Sequence, residues 1–346
     1  MRRIFYFLVI FAIILKTKPQ VLKGTEVDSE DLKFLVYLNP VYYYDHWYYG
    51  DERRTTNIGA GTIVHLNWII TAAHLVSSYS KEGTQYTFEY VEVVVGTKDI
   101  SDANRQEIWI FPEDVHFHPK YDIRYRLLND VALLHSHEVP LVRSETLEPA
   151  RLLTSKMNFE YGANCVVAGW GTDEIIKNAE TEEYENGPNE PNHAKQGKVK
   201  LLKPRKCHRY SIFSPKKQFC YGCTQGSCSQ TAQGDSGGPV VCAFQRKKHH
   251  YQNTTIDSKK PRKDRMRFQD HDPMKYQYVF AVHSFGCSDL EHKCTSNGPS
   301  VGTNIATKEI EEWMRTKMEP DTVNSDINLY VIAAATIVGS ICIYFL

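Results

Sequence analysis

Residues 234–239 read Gly-Asp-Ser-Gly-Gly-Pro, the most informative segment of this 346-residue chain. The segment places Ser236 among glycines, where backbone N–H groups can approach a developing oxyanion. It also places a carboxylate, Asp235, one residue earlier. Because a serine hydroxyl is a poor nucleophile near neutral pH, such a site needs a base that removes its proton. The segment therefore predicts a reactive serine that works with a histidine and a second carboxylate.

Two upstream segments supply these groups. Residues 71–74 read Thr-Ala-Ala-His and end in His74, and residues 129–134 read Asn-Asp-Val-Ala-Leu-Leu and contain Asp130. The unrelated folds that carry such a triad differ in the order of its members along the chain. Here the three motifs occur in the order His, Asp, Ser. With these motifs the sequence resembles the trypsin/chymotrypsin-like serine proteases, and the resemblance covers residues 21–318.

The resemblance assigns a role to each group. His74 would be the general base and then the general acid, and Asp130 would hold its imidazole in the correct tautomer. Ser236 would form the acyl-enzyme, and the N–H groups of Gly234 and Ser236 would form the oxyanion hole. The expected function is a serine endopeptidase that acts on protein or peptide substrates and is open to proteinaceous inhibitors.

Two other functions are compatible with parts of the sequence. A serine protease homologue that has lost catalysis and acts as a binding or regulatory module would keep the fold, although such proteins typically lose one member of the triad. An α/β-hydrolase is the third reading, because residues 234–238 also spell Gly-x-Ser-x-Gly. That motif needs a strand–turn–helix context and the order Ser, Asp, His, and the sequence has neither.

Between its ends the chain favours β-structure. Short runs of β-branched and aromatic residues are bounded by turn residues, which is typical of an all-β barrel or sandwich. The resemblance implies two six-stranded antiparallel barrels with a C-terminal helix, the first carrying His74 and Asp130 and the second carrying Ser236. A 3–4 spacing of apolar residues predicts that helix over 308–317. The strand candidates are Phe34–Leu38, Gly61–Val64, Val91–Val95, Ala132–Leu134 and Cys165–Trp170.

Both chain ends are apolar. Arg2 and Arg3 precede an uncharged run over residues 4–15, which suits a signal peptide and is short for a membrane span. A retained signal anchor is the alternative. Residues 329–346 carry no charge, and as a helix they would reach roughly 27 Å, close to the thickness of the bilayer core. They fit a transmembrane segment or a GPI-anchor signal, with a buried terminal element as the third reading.

These segments predict the organisation of an exported protein. A signal peptide, with or without a short propeptide, occupies residues 1–20, and the peptidase domain occupies 21–318. A linker over 319–328 then leads to the apolar tail, 329–346. The tail makes the outer face of a membrane the expected location, or the extracellular space if the tail is not an anchor. Asn253 begins an Asn-x-Thr glycosylation sequon, which agrees with export.

Export makes disulfides the expected state of eight of the nine cysteines, because the ninth, Cys342, lies in the apolar tail. The resemblance implies two bridges, Cys165–Cys242 and Cys207–Cys220. Four further cysteines allow three pairings that the sequence does not resolve, namely Cys223, Cys228, Cys287 and Cys294. In the family a bridge usually closes the loop of the catalytic histidine. Here Gly59 and Leu75 stand at those two positions, so both partners are replaced together.

Substrate binding and activation are read from the same resemblance. Gln230 falls at the base of the primary specificity pocket, with Gly286 and Ser300 on its walls, and Ser284, Phe285 and Gly286 form the segment that pairs with the substrate backbone. Because no carboxylate falls at the base, cleavage after Arg or Lys is not expected. Activation in the family creates a new N-terminus that pairs with the carboxylate before the nucleophile. This predicts an ion pair between Val21 and Asp235.

Charge composition limits the partners. Lys+Arg and Asp+Glu both number 41, so net charge gives no reason to expect nucleic acid. No metal cluster and no phosphate-binding loop are evident in the sequence, so no metal or cofactor is expected. Three segments are predicted to be loop insertions: an aromatic one at 42–49, an acidic one at 173–190 and a basic one at 246–267.

Overall fold

The computed structural model describes ten stretches of the chain. Within them the protein is nearly all β-structure, with strands β1–β18, a C-terminal helix α1 at 308–318 and three short 3-10 turns. The described residues are 24–45, 52–122, 127–137, 147–172, 175–177, 184–186, 191–223, 231–243, 277–286 and 298–318.

The first sheet is built from nine antiparallel strands in the first half of the chain. Six of them form the continuous path β10-β5-β4-β2-β7-β8, and the short strands β3, β6 and β9 add to β2, β7 and β10. The strands are β2 Leu35–Asp45, β3 Glu52–Thr56, β4 Gly59–His65, β5 Trp68–Thr71, β6 Tyr79–Lys81, β7 Thr84–Val95, β8 Gln106–Ile110, β9 Val115–Phe117 and β10 Ala132–His135.

The second sheet closes into a six-stranded barrel in the order β14-β11-β16-β17-β18-β15, because β14 also pairs with β15. The N-terminal strand β1 adds to β14. The strands are β1 Thr25–Glu26, β11 Asn164–Gly169, β14 Lys195–Leu202, β15 Gln218–Gly222, β16 Pro239–Ala243, β17 Gln277–Phe285 and β18 Ser300–Asn304. A separate hairpin pairs β12 Ile175–Lys177 with β13 Tyr184–Asn186. The predicted all-β class with two barrels and a C-terminal helix is confirmed.

Each predicted strand occurs in the structure, but the aromatic segment is not wholly a loop. Residues 42–45 extend β2 and pair with β3, and residues 42–44 also pair with β7. Tyr42 is fully buried and packs edge-on against Tyr79 and Phe88. Aromatic side chains fit a pleated, half-buried surface well, so the tyrosines lengthen the strand. The prediction of a loop insertion starting at residue 42 is therefore wrong for its first four residues.

Helix α1 holds the two halves of the molecule together. Its apolar side chains Ile310, Trp313 and Met314 belong to the main hydrophobic core, in agreement with the predicted spacing. On its first turn Glu309 forms ion pairs with Lys120 and with Lys217, which lie in different halves of the chain. These two lysines lower the pKa of Glu309 to about 2.

The second barrel also carries covalent links. Cys165 and Cys242 face each other across the paired strands β11 and β16 and form a disulfide, and Cys207 is bonded to Cys220. These are the two pairings that the family resemblance implied. Cys223 is disulfide-bonded as well. The remaining cysteines of the open set, Cys228, Cys287 and Cys294, lie outside the described residues.

Several predicted features lie outside the described residues and stay predictions. They are the segments at 1–20, 319–328 and 329–346, the basic segment at 246–267 with Asn253, and most of the acidic segment. In the part of the chain that the structure describes, no helix combines the length and apolar character that crossing a bilayer requires.

Lys98, three residues after the end of β7, is a buried cation that contacts the segment leading into β2. Its ammonium group donates hydrogen bonds to the backbone oxygens of Leu32 at 2.7 Å and Leu35 at 3.5 Å. Burial lowers the pKa of Lys98 from 10.5 to about 8, and the nearby Asp31 offsets only part of this shift. The folded protein therefore holds a lysine that loses its proton more easily than it would in the unfolded chain.

We expect Lys98→Met to remove a pH dependence of stability. Between pH 8 and 10.5 the unfolded state binds more protons than the folded state, so the free energy of unfolding of the wild type rises with pH across this window. The full shift corresponds to on the order of 3 kcal/mol. Chemical unfolding at several pH values would measure this rise, which Lys98→Met should lack and the exposed Lys200→Met should retain. Identical pH profiles for wild type and Lys98→Met would contradict the assignment.

Candidate active site

His74 lies on a short 3-10 turn, Ala73–Leu75, that follows strand β5 directly. The strand is buried along its whole length and pairs with β4 on one side and β10 on the other. The turn therefore starts from a rigid position in the first sheet. The imidazole of His74 keeps about a quarter of its surface exposed, with 23% accessible, so it can reach a substrate.

Asp130 approaches from the neighbouring strand. It comes just before β10, whose Ala132 pairs with Thr71 at the end of β5, so the register brings Asp130 alongside the histidine turn. The preceding residue, Asn129, adopts a positive φ of 51° and donates from its amide to the Lys120 oxygen at 3.0 Å. Asparagine tolerates this left-handed conformation better than most residues. Asn129 therefore fixes the bend that turns the Asp130 carboxylate toward His74.

The carboxylate of Asp130 is fully buried and accepts hydrogen bonds from two residues. Its Oδ1 atom accepts from the backbone N–H of His74 at 2.8 Å, and its Oδ2 atom lies 2.7 Å from His74 Nδ1. Oδ2 also accepts from the hydroxyl of Ser284 on β17 of the second barrel. A buried carboxylate requires such donors, because their loss would leave an uncompensated charge in the interior.

Ser236 completes the arrangement from the second barrel. Its hydroxyl lies 3.0 Å from His74 Nε2, the ring nitrogen opposite the one that faces Asp130. The three side chains thus form a continuous chain of hydrogen-bonding atoms from a buried carboxylate to a partly exposed hydroxyl. This geometry allows the imidazole to take the proton of Ser236 while the carboxylate stabilises the resulting positive charge.

Two glycines shape the backbone around the serine. Gly234 has a φ of +98° and Gly237 a φ of +80°, a region that other residues rarely adopt. A Cβ atom on Gly237 would lie 2.1 Å from the side-chain oxygen of Thr71 and 2.3 Å from the Ala60 carbonyl oxygen. The Ser236 carbonyl oxygen accepts from Ala60 N–H at 2.8 Å. Glycine at 237 is therefore required for the serine turn to pack directly on the first sheet.

Asp235 holds the serine turn in place through hydrogen bonds of its carboxylate to the surrounding backbone. It is buried, and its two carboxylate oxygens accept from Gly171 N–H at 3.0 Å and from Ala232 N–H at 2.8 Å. Cβ atoms on Gly169 and Gly171 would lie 2.5 Å and 2.7 Å from this carboxyl group. The segment at 169–171 therefore forms a close-fitting cradle around Asp235. Val21, its predicted partner, lies outside the described residues, so that ion pair stays a prediction.

Packing replaces a bridge at the histidine turn. The family resemblance assigns Gly59 and Leu75 to the two positions of a disulfide, and the Leu75 side chain lies against Gly59. A Cβ atom on Gly59 would come within 2.1 Å of Leu75 Cδ2. The buried hydroxyl of Tyr42 also donates to the backbone oxygen of Leu75. A side chain and a hydrogen bond thus hold the turn that carries His74.

His283 is a site residue that the sequence did not reveal. It precedes Ser284 on β17, is almost completely buried, and its Nδ1 atom hydrogen bonds with the Tyr221 hydroxyl. Burial, followed by the proximity of His74, lowers the pKa of His283 to about 3. His283 is therefore neutral near neutral pH and adds no positive charge beside His74. Nothing in the sequence around His283 distinguishes it from an ordinary core residue. Its place beside the site becomes evident only from its burial and contacts in the structure.

The predicted substrate-binding residues are only partly described. Ser300, at the start of β18, is buried, and its hydroxyl lies 2.7 Å from that of Thr231, so the described part of the predicted pocket wall carries neutral hydroxyls. Gly286 is buried at the end of β17, and Phe285 packs edge-on against Tyr210. Gln230, the predicted pocket base, lies outside the described residues.

The two-barrel fold and the position of this site define the chymotrypsin-like class of serine proteases. The sequence model of the family described as Trypsin matches residues 39–265, well over half of the chain. The protein therefore belongs to the trypsin family.

Individual relatives agree with this assignment. Over 201 residues the chain is 25% identical to ovochymase-2 of Mus musculus. The matched residues make up 57% of this chain and 30% of ovochymase-2. Over 182 residues it is 27% identical to transmembrane protease serine 9 of Rattus norvegicus. The matched residues make up 52% of this chain and 15% of that relative. The chain thus spans less than a third of the length of these relatives.

Solved structures share the fold at lower identity. Neuropsin, a serine protease expressed in the limbic system of mouse brain, superposes with a TM-score of 0.54 at 20% identity, covering 86% of this chain and 99% of that one. The structure of GrC gives the same TM-score at 18% identity, with the same coverage. These similarities extend over nearly the whole of both solved chains.

We expect the pair Gly59→Cys and Leu75→Cys to form a disulfide. The Cβ position of Gly59 lies 3.0 Å from Leu75 Cγ, which stands where a cysteine sulfur would be. In a disulfide the distance from one Cβ to the opposite sulfur is about 3.0 Å, as its bond lengths require. The bridge should stabilise the double variant by about 2–4 kcal/mol relative to the same variant with its thiols reduced. Peptide mapping under non-reducing conditions and thermal unfolding would measure the link and the gain.

The single variants are the controls for this bridge. Gly59→Cys alone should be destabilised, because its side chain meets Leu75, and Leu75→Cys alone should lose packing. The double variant should be more stable than either one. Two additional free thiols in the folded double variant would contradict the geometry described for the histidine turn.

Proposed function

We propose that this chain is a serine endopeptidase that hydrolyses peptide bonds through an acyl-enzyme on Ser236. The observation that carries the proposal is the distance of 3.0 Å between Ser236 Oγ and His74 Nε2, together with 2.7 Å between His74 Nδ1 and the Asp130 carboxylate. Membership of the trypsin family supports the same chemistry. The whole site is assembled from residues of this one chain.

The proposed reaction follows from this arrangement. His74 takes the proton of Ser236 as the hydroxyl attacks the peptide carbonyl carbon, and the Asp130 carboxylate stabilises the imidazolium. The carbonyl oxygen becomes negative and accepts hydrogen bonds from the N–H groups of Gly234 and Ser236, each worth about 10²–10³ in rate. His74 then gives its proton to the leaving amine. Water attacks the ester by the same route and releases the acid.

We further propose that the enzyme works outside the cell. The apolar segments at 4–15 and 329–346 would export the chain and attach it to the outer membrane surface. Its activation would free Val21 to pair with Asp235, whose buried carboxylate already lies beneath the serine turn. The neutral hydroxyls of Thr231 and Ser300 favour a pocket for uncharged side chains over one for Arg or Lys.

Labelling with a fluorophosphonate probe tests the proposal directly. Protein that begins at Val21 should react covalently at Ser236, and Ser236→Ala should not react, because the probe needs an activated serine. Ser284→Thr keeps a hydroxyl beside Asp130 and should still label. Mass spectrometry would locate the adduct.

No labelling of a folded protein with Val21 at its N-terminus would overturn the proposal. Such a result would favour the alternative, a homologue that has lost catalysis and acts as a binding or regulatory module. Circular dichroism and thermal unfolding would establish that the unlabelled protein is folded.

Asp130→Asn should retain the fold and lose most of the reactivity. The carboxamide cannot accept hydrogen bonds at both of its polar atoms, so it cannot hold His74 in the required tautomer while also accepting from the backbone N–H. We expect the rate of probe labelling to fall by about 10⁴-fold. A loss smaller than about tenfold would show that the buried carboxylate is not needed for proton transfer from Ser236.

A further inference from the structure

Three side chains with metal-binding atoms meet at the edge of the first sheet. They belong to Asp114, His135 and His137, and one ligand atom from each lies within 4.8 Å of the others. No metal cluster is evident in the sequence, because strand β9, a loop and most of β10 separate Asp114 from His135. His135 ends β10, whereas Asp130 lies just before the start of that strand, and the trio takes no part in the proposed reaction.

Strand pairing explains why these residues meet. Strands β9 and β10 are antiparallel, with Val115 opposite Leu134, so Asp114 lies beside the end of β10, where His135 is located. His137 follows two residues later, and residues two apart in an extended chain point to the same side. The register of the sheet edge therefore sets the carboxylate against both imidazoles.

The distances place His137 between the other two groups. Its Nε2 atom lies 2.7 Å from Asp114 Oδ1 and 3.0 Å from His135 Nδ1. A ring nitrogen carries at most one hydrogen, so Nε2 cannot complete a full hydrogen bond with both neighbours at once. A divalent cation accepts all three lone pairs together and removes this conflict.

We propose that Asp114, His135 and His137 form a zinc-binding site. Two imidazole nitrogens and one carboxylate oxygen are a ligand set that zinc favours, whereas calcium and magnesium prefer oxygen atoms alone. Tetrahedral zinc with bonds of about 2.0–2.1 Å separates its ligands by about 3.3–3.4 Å. The two separations that involve His137, 2.7 Å and 3.0 Å, reach this value through shifts of less than about 1 Å. The ligand atoms of Asp114 and His135 lie within 4.8 Å of each other. Water takes the fourth position.

The site combines a fixed ligand with an accessible one. His135 lies at the end of β10, is buried, and stacks on Trp68 with ring centroids 4.2 Å apart. The indole therefore fixes the plane of this imidazole. The His137 side chain is 62% exposed, so zinc enters from solvent on that side. An imidazole oriented by packing and an open entry path both favour metal binding.

Zinc at this position would reinforce the strands that carry the active site. It would join the residue before β9 to the end of β10, and β10 begins two residues after Asp130. The other neighbour of β10 is β5, which leads into the turn of His74. The metal would act as a structural clip at the free edge of the first sheet, in a protein whose disulfides between described residues lie in the second barrel.

Zinc binding by the purified full chain tests the proposal. We expect one zinc ion to bind per protein chain in competition with a chromophoric chelator. Cobalt(II) in place of zinc should give the visible absorption of a tetrahedral complex. His137→Ala and Asp114→Asn should each weaken zinc binding by more than about 100-fold, since even partners that only support a ligand contribute 10–100-fold. Zinc should raise the unfolding temperature of the wild type and not of these variants.

His193→Ala is the matched control. His193 pairs with Asp99 at 3.4 Å on the surface, so it is also an exposed histidine beside a carboxylate, but it has no place in the trio. This variant should bind zinc as the wild type does. Unchanged unfolding temperatures without metal would show that His137→Ala and Asp114→Asn are folded. Equal zinc affinity in wild type and both variants, or no zinc binding by the wild type, would overturn the proposal. Neither measurement depends on peptidase activity.

Discussion

The buried carboxylate of Asp130 is the constraint on which the site depends. It is taken entirely out of water, so its charge must be balanced by donors with fixed positions. His74 supplies two of them from the first sheet, and Ser284 supplies another from the second barrel. Thr303, also in the second barrel, donates to the backbone oxygen of Asp130 at 2.9 Å. One residue thus ties both barrels to a single geometry.

The glycines around Ser236 have the complementary effect. The second barrel presents its serine on a turn that touches the first sheet at Ala60 and Thr71, where a side chain on Gly237 would collide. The same glycine donates from its N–H to the His283 oxygen at 3.0 Å and so remains bonded to its own barrel. The motif around Ser236 is therefore also a close packing contact between the halves. Its sequence is constrained by packing as well as by chemistry.

These two roles explain how much of the molecule could be predicted from sequence. The strands and the helix follow from local apolar periodicity, and the three motifs around His74, Asp130 and Ser236 identify the site because each has a distinctive local pattern. The extension of β2 through Tyr42 was missed because consecutive aromatic residues show no alternation that would mark a strand. Contacts between residues that are brought together only by strand register could not be predicted from the sequence. His283 beneath the site and the meeting of Asp114 with His135 are of this kind.

The histidine turn shows how non-covalent contacts can replace a covalent one. A disulfide there would contribute about 2–4 kcal/mol, mainly by restricting the unfolded chain. Burial of the Leu75 side chain against Gly59 contributes about 1.5–3 kcal/mol. The hydrogen bond from Tyr42 adds about 1 kcal/mol. The two sums are comparable, so the turn that carries His74 loses little stability. The difference lies in the mechanism, because packing acts only on the folded state and is insensitive to reduction. Tyr42 can give this support because β2 extends far enough to bring its hydroxyl beneath the turn, so the unexpected length of that strand and the missing bridge are parts of one arrangement.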